Sequence, residues 1–312
     1  MHRVDFEGGY SARTLDTNVV APFFKQHFQK YANKESAFLT LATREKIKWD
    51  FVDGQNLKIR NNSVKQAFLT LIDEIQNQNK ANQCLISIFK ELTNLSKNEK
   101  LIFDTAISET NFIDVLNINK VLEMLTTHFS EKLSSRLPVI AIYTIYQELF
   151  KNVKRYDGKV LRPLNVHTSS DKHGYGDIEI WNKDNTPFEM VEIKHKIPID
   201  RNLIFDIVKK TQNTEVNRYY ILTTYSDSFI SKEEEVFINQ FILRIKQDTD
   251  MEVIANGIVT SLKYYLRFID DYKSFIKSYT NNLIKDAQNS TEIKDFHIIA
   301  WNKILRENNL YK

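Results

Sequence analysis

Cysteine is all but missing from this chain. The single Cys84 among 312 residues rules out an internal disulfide and any zinc site built on cysteine pairs, and its place in the helical pattern Gln-Cys-Leu-Ile-Ser-Ile-Phe makes it a small core residue. No uninterrupted apolar run is long enough to cross a bilayer, and the N-terminus carries no signal-like pattern, so we read the chain as cytoplasmic with no membrane partner. Net charge is only +3 and indicates no partner by itself. Internal repeats and low-complexity tracts are absent. Glycine is scarce, with seven residues, and four of these fall at or after Gly158.

The length allows one large domain or two modest ones, and 27% charged with 42% hydrophobic residues is an ordinary globular profile. The spacing of apolar residues divides the chain into a mostly helical region over 1–135 and an α/β (α+β) region over 136–312. Ser63-Val-Lys-Gln66 reads as a capping box before Ala67-Phe-Leu-Thr-Leu-Ile, and further helical stretches run near 81–94, 113–129 and 138–153, the last with Pro138 in its first turn. Glu45 to Phe51 reads as a short strand. After Gly158, Asp200 caps a helix to about Gln212, Arg218 to Thr224 reads as a strand, and Ser231-x-x-Glu234 starts another helix. Met251 to Ile254 adds a strand, and helices follow to Asn308. Helix, strand, strand, helix, strand implies a mixed sheet flanked by helices.

The most informative segment is Gly-Tyr-Gly-Asp-Ile-Glu-Ile followed by Met-Val-Glu-Ile-Lys-His-Lys. It places Asp177 on one strand and Glu192 with Lys194 on the next, joined by the turn formers Lys183-Asp184-Asn185-Thr186-Pro187. With Asp184-Asn185 as the central turn residues, Asp177 falls opposite Glu192, and neighbouring strands lie about 4.8 Å apart. A turn longer by two residues sets Asp177 opposite Lys194 instead. A slip of one residue separates the acids, because side chains alternate across the sheet. Ile178, Ile180, Val191 and Ile193 form the apolar alternate face.

Hydrolysis of a phosphodiester needs a hydroxide, a neutralised phosphate oxygen and a stabilised leaving group. Hard carboxylate oxygens hold Mg²⁺, and we take Asp177 and Glu192 as its ligands. Lys194 on the same face would orient the attacking water and offset charge on the phosphate. Glu148, at the border of the apolar stripe Ile142, Ile145, Leu149 and Val153, is a third candidate acid for metal and catalysis. Glu179, two residues past Asp177, is its rival. The alternative for Glu148 is a solvated helix acid, and for the whole pattern a surface hairpin with a cross-strand ion pair.

The segment from about Ala141 to Thr224 resembles the PD-(D/E)xK nuclease superfamily, with Gly176 where that pattern has proline. His-Thr-Ser-Ser-Asp171, Gly-Asp-Ile-Glu-Ile, Glu-Ile-Lys-His and Arg-Tyr-Tyr-Ile-Leu-Thr-Thr are similar to bacterial type II restriction endonucleases paired with cytosine methyltransferases. Tyr10-Ser-Ala-Arg-Thr-Leu-Asp-Thr and Phe38-Leu-Thr-Leu-Ala-Thr-Arg-Glu extend the likeness toward the N-terminus. The resemblance implies a PD-(D/E)xK-type core and Mg²⁺-dependent cleavage of double-stranded DNA in a bacterial cytoplasm. It also implies a homodimer matching the two-fold symmetry of its target, functional pairing with a DNA methyltransferase, and DNA recognition or dimerisation in the 1–135 region.

Lys151 to Gly176 carries six Lys or Arg against two Asp, which suits a polyanion. For DNA contact we take His167, Thr168, Ser169, Lys172, Lys196, Lys209 and Lys210 against phosphate, with His173 flanking the same loop. Arg13, Arg44, Lys46 and Lys48 are candidates for guanine edges. Each cation taken singly also reads as an ordinary surface residue. The three tryptophans, Trp301 among them, read as core. Two alternatives remain open: a nuclease of the same superfamily acting in repair, recombination or mobile-element excision, and a catalytically degenerate DNA-binding module.

Overall fold

The computed structural model describes residues 15–32, 47–108, 116–164, 175–290 and 292–308. The chain divides into two compact units, 1–101 and 102–312. The division falls before the 135/136 boundary expected from the sequence, because the helix Ile118–Phe129 buries Val121, Met124 and Leu125 in the core that lines the sheet.

In the first unit, helix α1 (Ala21–His27) and helix α2 (Asn62–Gln76) precede α3 (Ala81–Ser108), which runs on into the second unit. Phe23 and Phe28 of the α1 region pack on Phe89, with ring centroids 5.4 and 6.0 Å away. The buried Glu99 accepts hydrogen bonds from Lys30 Nζ and Tyr31 Oη, each at 2.7 Å. A small core of Trp49, Leu57 and Leu69 closes against Gly54, where a Cβ would sit 2.4 Å from Leu69 Cδ2. The capping box expected at Ser63 is displaced. Asn61 is the cap, its Oδ1 accepting from Val64 N at 3.2 Å, while Gln66 bonds to Gln55 instead. The strand expected over Glu45 to Phe51 is not formed over its described residues 47–51, of which 49–51 form a bend and turn. Cys84 is buried, as expected.

The second unit is an α/β structure around a five-stranded mixed sheet. Its elements are α4 (Ile118–Phe129), α5 (Arg136–Asn152), β1 (Lys159–Leu161), β2 (Ile178–Asn182), β3 (Pro187–Lys194), α6 (Arg201–Thr211), β4 (Arg218–Thr223), α7 (Lys232–Thr249), β5 (Glu252–Gly257), α8 (Ile258–Leu266), α9 (Tyr272–Asn289) and α10 (Asp295–Glu307). The spatial order follows the chain order, with β1, β2 and β3 antiparallel and β3, β4 and β5 parallel. Parallel neighbours need a crossover, and α6 and α7 provide it. Both helices are capped as the sequence indicates: Asp200 Oδ1 accepts from Leu203 N at 2.9 Å and Ser231 Oγ accepts from Glu234 N at 3.2 Å. The short β1 was not foreseen.

Both faces of the sheet are covered. Ile178, Ile180, Val191, Ile193 and Leu222 join the larger core formed with α4, α5, α8, α9 and α10, in agreement with the apolar face read from the sequence. On the other face Met190, Tyr219, Ile221 and Val253 pack with Ile204 and Ile207 of α6 and Ile238 and Ile245 of α7. All three tryptophans are buried. Deep in the larger core, His128 Nε2 meets the His297 carbonyl at 2.8 Å, and Nδ1 meets Tyr279 Oη at 2.9 Å. The imidazole therefore donates from Nε2 and accepts at Nδ1, while its ring stacks on Trp301. Among the described residues no helix is long and apolar enough to cross a membrane.

Candidate active site

The β2–β3 hairpin reaches its register by a route different from the one expected. The turn is one residue longer than a two-residue loop: Asn182 N bonds to Thr186 O at 2.8 Å around Lys183-Asp184-Asn185, with Asn185 at φ 62°. Taken alone, that slip would turn Glu192 away from Asp177. A β-bulge compensates. Trp181 pairs with Pro187 but Ile180 pairs with Glu189, so Phe188 is an extra residue on β3. The ladder then continues through Glu179↔Met190 and Ile178↔Val191, and one step further Asp177 falls opposite Glu192.

Gly176 makes this approach possible. A Cβ there would lie 2.7 Å from the Val191 carbonyl oxygen, so only glycine lets the backbone run this close to β3 ahead of the acid. Asp177 Oδ2 in turn accepts from Ile193 N at 2.7 Å, which anchors its carboxylate to the strand that carries Glu192 and Lys194.

Glu192 is buried, and each of its oxygens has cationic company. Lys194 Nζ lies 2.6 Å from Oε1, and Lys210 Nζ on α6 lies 3.4 Å from Oε2. Tyr219 Oη on β4 stands 3.4 Å from Oε2 as well, and 2.5 Å from the Tyr175 carbonyl. Burial works against the Lys194 ammonium, but the charges of Glu192, Asp177 and Asp206 outweigh it and hold the amine above its ordinary value. Lys194 is therefore a cation near neutral pH, able to donate a hydrogen bond but not to act as a base. Burial, then the negative charges of Glu192 and Asp177, hold the Tyr219 phenol well above its ordinary value.

The neighbouring His195 links three segments. Thr224 Oγ1 accepts from Lys196 N at 2.8 Å and lies 2.9 Å from His195 Nδ1, while His195 Nε2 lies 3.0 Å from Ser134 Oγ. Burial first, then Lys196, hold this imidazole below its ordinary value. Arg136, two residues after Ser134, is buried against Asp286, with its Nη2 at 2.9 Å from Oδ1. Burial opposes its charge, and Asp286, then Glu292 and Asp177, outweigh that opposition.

The other candidates separate into distinct places. Glu148 is buried on α5 and its carboxylate goes to Lys151 Nζ at 2.8 Å and to Ser278 Oγ of α9 at 3.2 Å, away from the β3 cluster. Glu179 is engaged by Tyr175 N at 2.7 Å and Trp181 Nε1 at 3.0 Å, which makes it a brace for the turn into β2. Lys196, at φ 58°, and Lys209 are exposed, as is Lys48 of the first unit. Arg13, Arg44, Lys46, His167, Thr168, Ser169, Lys172 and His173 lie outside the described residues. Tyr219 was missed because its pattern is that of a core strand residue. In the sequence Lys210 reads as a phosphate contact; its position one helical turn beyond Asp206 is the signal for its place beside Glu192.

The basic segment is less basic than its sequence. Lys151 pairs with Glu148 at 2.8 Å, Arg155 with Glu189 at 2.5 Å and Arg162 with Glu179 at 3.8 Å.

Among the described residues no group of three or more His, Cys, Asp or Glu is arranged to hold a metal ion. Asp177 and Glu192 are the two carboxylates that could hold a divalent cation; Mg²⁺ keeps several waters and takes one or two protein carboxylates beside substrate phosphate. No family model matches the chain, and no curated protein matches it either.

Proposed function

We propose that this chain is a type II restriction endonuclease of the PD-(D/E)xK kind, making Mg²⁺-dependent, sequence-specific double-strand breaks in DNA as a homodimer partnered with a methyltransferase. The observation that supports it most is the hairpin register, which puts Asp177 opposite Glu192 with Lys194 against the latter's Oε1 at 2.6 Å.

In this reading Asp177 and Glu192 hold the ion, which when bound supplies Lewis acidity and a water of lowered pKa. Lys194, charged and anchored at the end of β3, donates to the attacking water and to the scissile phosphate, where negative charge builds up. Lys210 approaches the same carboxylate from α6 and is positioned to share the phosphate's charge. Glu148 is left out of the metal set and its role is the α5–α9 contact.

The test is digestion of plasmid DNA with Mg²⁺. Discrete fragments are expected from the unaltered protein, and a smear would favour a repair or recombination nuclease with the same chemistry. Asp177→Ala and Glu192→Ala are each expected to abolish cleavage while DNA binding without metal survives. Lys194→Ala is expected to lower kcat by roughly 10²-fold or more, the usual cost of one donor to a developing charge. Persistent cutting by either acid variant would sink the site.

A further inference from the structure

We propose that Tyr219 is a positioning residue that sets the spacing between Asp177 and Glu192 through its single hydroxyl. The inference rests on the nuclease reading for its consequence in catalysis, but its geometry stands apart from that reading.

Tyr219 lies on β4, the strand parallel to β3, with its ring wholly buried among Met190, Ile207 and Val253. The ring therefore has a fixed position relative to the sheet. Its hydroxyl reaches two targets: the Tyr175 carbonyl at 2.5 Å and Glu192 Oε2 at 3.4 Å. Tyr175 is two residues before Asp177, and between them Gly176 runs against the Val191 backbone. One phenol thus holds the backbone that leads to the first acid while standing against the second.

A phenol has one proton to donate. The short contact assigns that proton to the Tyr175 carbonyl, leaving Glu192 Oε2 facing the hydroxyl oxygen at longer range, with Lys210 on the same carboxylate oxygen. Glu192 is thereby steered without being consumed: among the described residues, Oε2 has only the Tyr219 hydroxyl and the half-exposed Lys210 ammonium near it, each at 3.4 Å. Without the hydroxyl, the Tyr175 carbonyl loses its tie to the sheet interior. The Asp177 segment is then held by Glu179 at Tyr175 N and by the bond of Asp177 Oδ2 to Ile193 N, the second of which tightens or loosens with the carboxylate's position.

The experiment uses Tyr219→Phe, which keeps the ring, with Tyr220→Phe on the opposite face of the same strand as control. Amide hydrogen exchange at Ile193, measured without metal or DNA, reports the docking of Asp177. It is expected to accelerate at least tenfold in Tyr219→Phe, with Leu222 unchanged, and to stay at its original rate in Tyr220→Phe. In cleavage assays Tyr219→Phe is expected to lower kcat tenfold or more and to raise the Mn²⁺ concentration for half-saturation, read by electron paramagnetic resonance, while KM for DNA changes less than twofold. Unchanged exchange at Ile193 would overturn the proposal, as would unchanged kcat in a protein that cuts DNA. If the unaltered protein cuts no DNA, the nuclease reading falls and the exchange result alone decides the role of Tyr219.

Discussion

Gly176 shows how much can rest on the absence of a side chain. Its requirement is steric: the Val191 carbonyl oxygen occupies the space a Cβ would need, at 2.7 Å. Gly176→Ala must push the Asp177 segment off β3 or distort β3 itself, and overpacking of this kind costs about 1–3 kcal/mol. We expect a correspondingly lower urea midpoint together with at least a tenfold loss of cleavage. A variant with native stability and native activity would show that the two backbones part without consequence. The placement of Asp177, Glu192 and Lys194 at one end of the hairpin was legible from their spacing, because period-two alternation fixes which side chains share a face. Glu148 was not, since a helix-border acid has several equivalent fates and only the α5–α9 packing, through Ser278, decides among them. Glu179 was equally undecidable in sequence: its partners are a backbone N–H and an indole that only the folded turn brings together.

At the scale of elements, the hairpin contains two irregularities that cancel. A three-residue turn shifts the pairing by one, and the bulge at Phe188 shifts it back, so that counting from a two-residue turn arrives at the same acid pair. Turn and bulge are both local backbone choices that composition does not reveal, whereas the net register is enforced over the whole hairpin by burial of Ile178, Ile180, Val191 and Ile193. The Phe188 ring has its own role, taking Lys159 at 4.3 Å and Arg155 at 4.7 Å over its ring. The turn makes a specific demand at Asn185, whose φ of 62° is tolerated by asparagine and poorly by β-branched residues. Asn185→Val is expected to cost about 1–2 kcal/mol in equilibrium unfolding. A loss under a few tenths would mean that the turn readily takes another form. Helix starts were legible where a short polar side chain had no competitor, as at Asp200 and Ser231. They were misplaced where two lay close together, so that Asn61 took the role expected of Ser63.

On the scale of the whole molecule, the larger core carries an acid sensitivity that no surface feature announces. Burial first, offset by the bond to the His297 carbonyl and reinforced by the charge of His297, lowers the His128 imidazole from 6.5 to about 3. The unfolded chain protonates this group near pH 6.5 and the folded protein only near 3, so between those values the unfolded state holds the extra proton. Stability is therefore constant from this source above pH 6.5 and declines as pH falls through the window, by at most about 1.4 kcal/mol per unit. We expect urea midpoints measured from pH 7 to pH 4 to fall less steeply for His128→Gln than for the unaltered protein; equal slopes would contradict the assignment. The sequence made the mixed sheet and its helical cover readable, since strand and helix periods alternate clearly after Gly158. That α4 packs in the sheet's core was not readable, because it looks like its helical neighbours until its apolar face is seen there. The internal pairing of Lys151, Arg155 and Arg162 also bears on how the molecule meets its surroundings. Cations already matched by Glu148, Glu189 and Glu179 release few counterions from any polyanion they meet, so attraction along this stretch responds to salt as though it carried about three fewer charges than its sequence spells out.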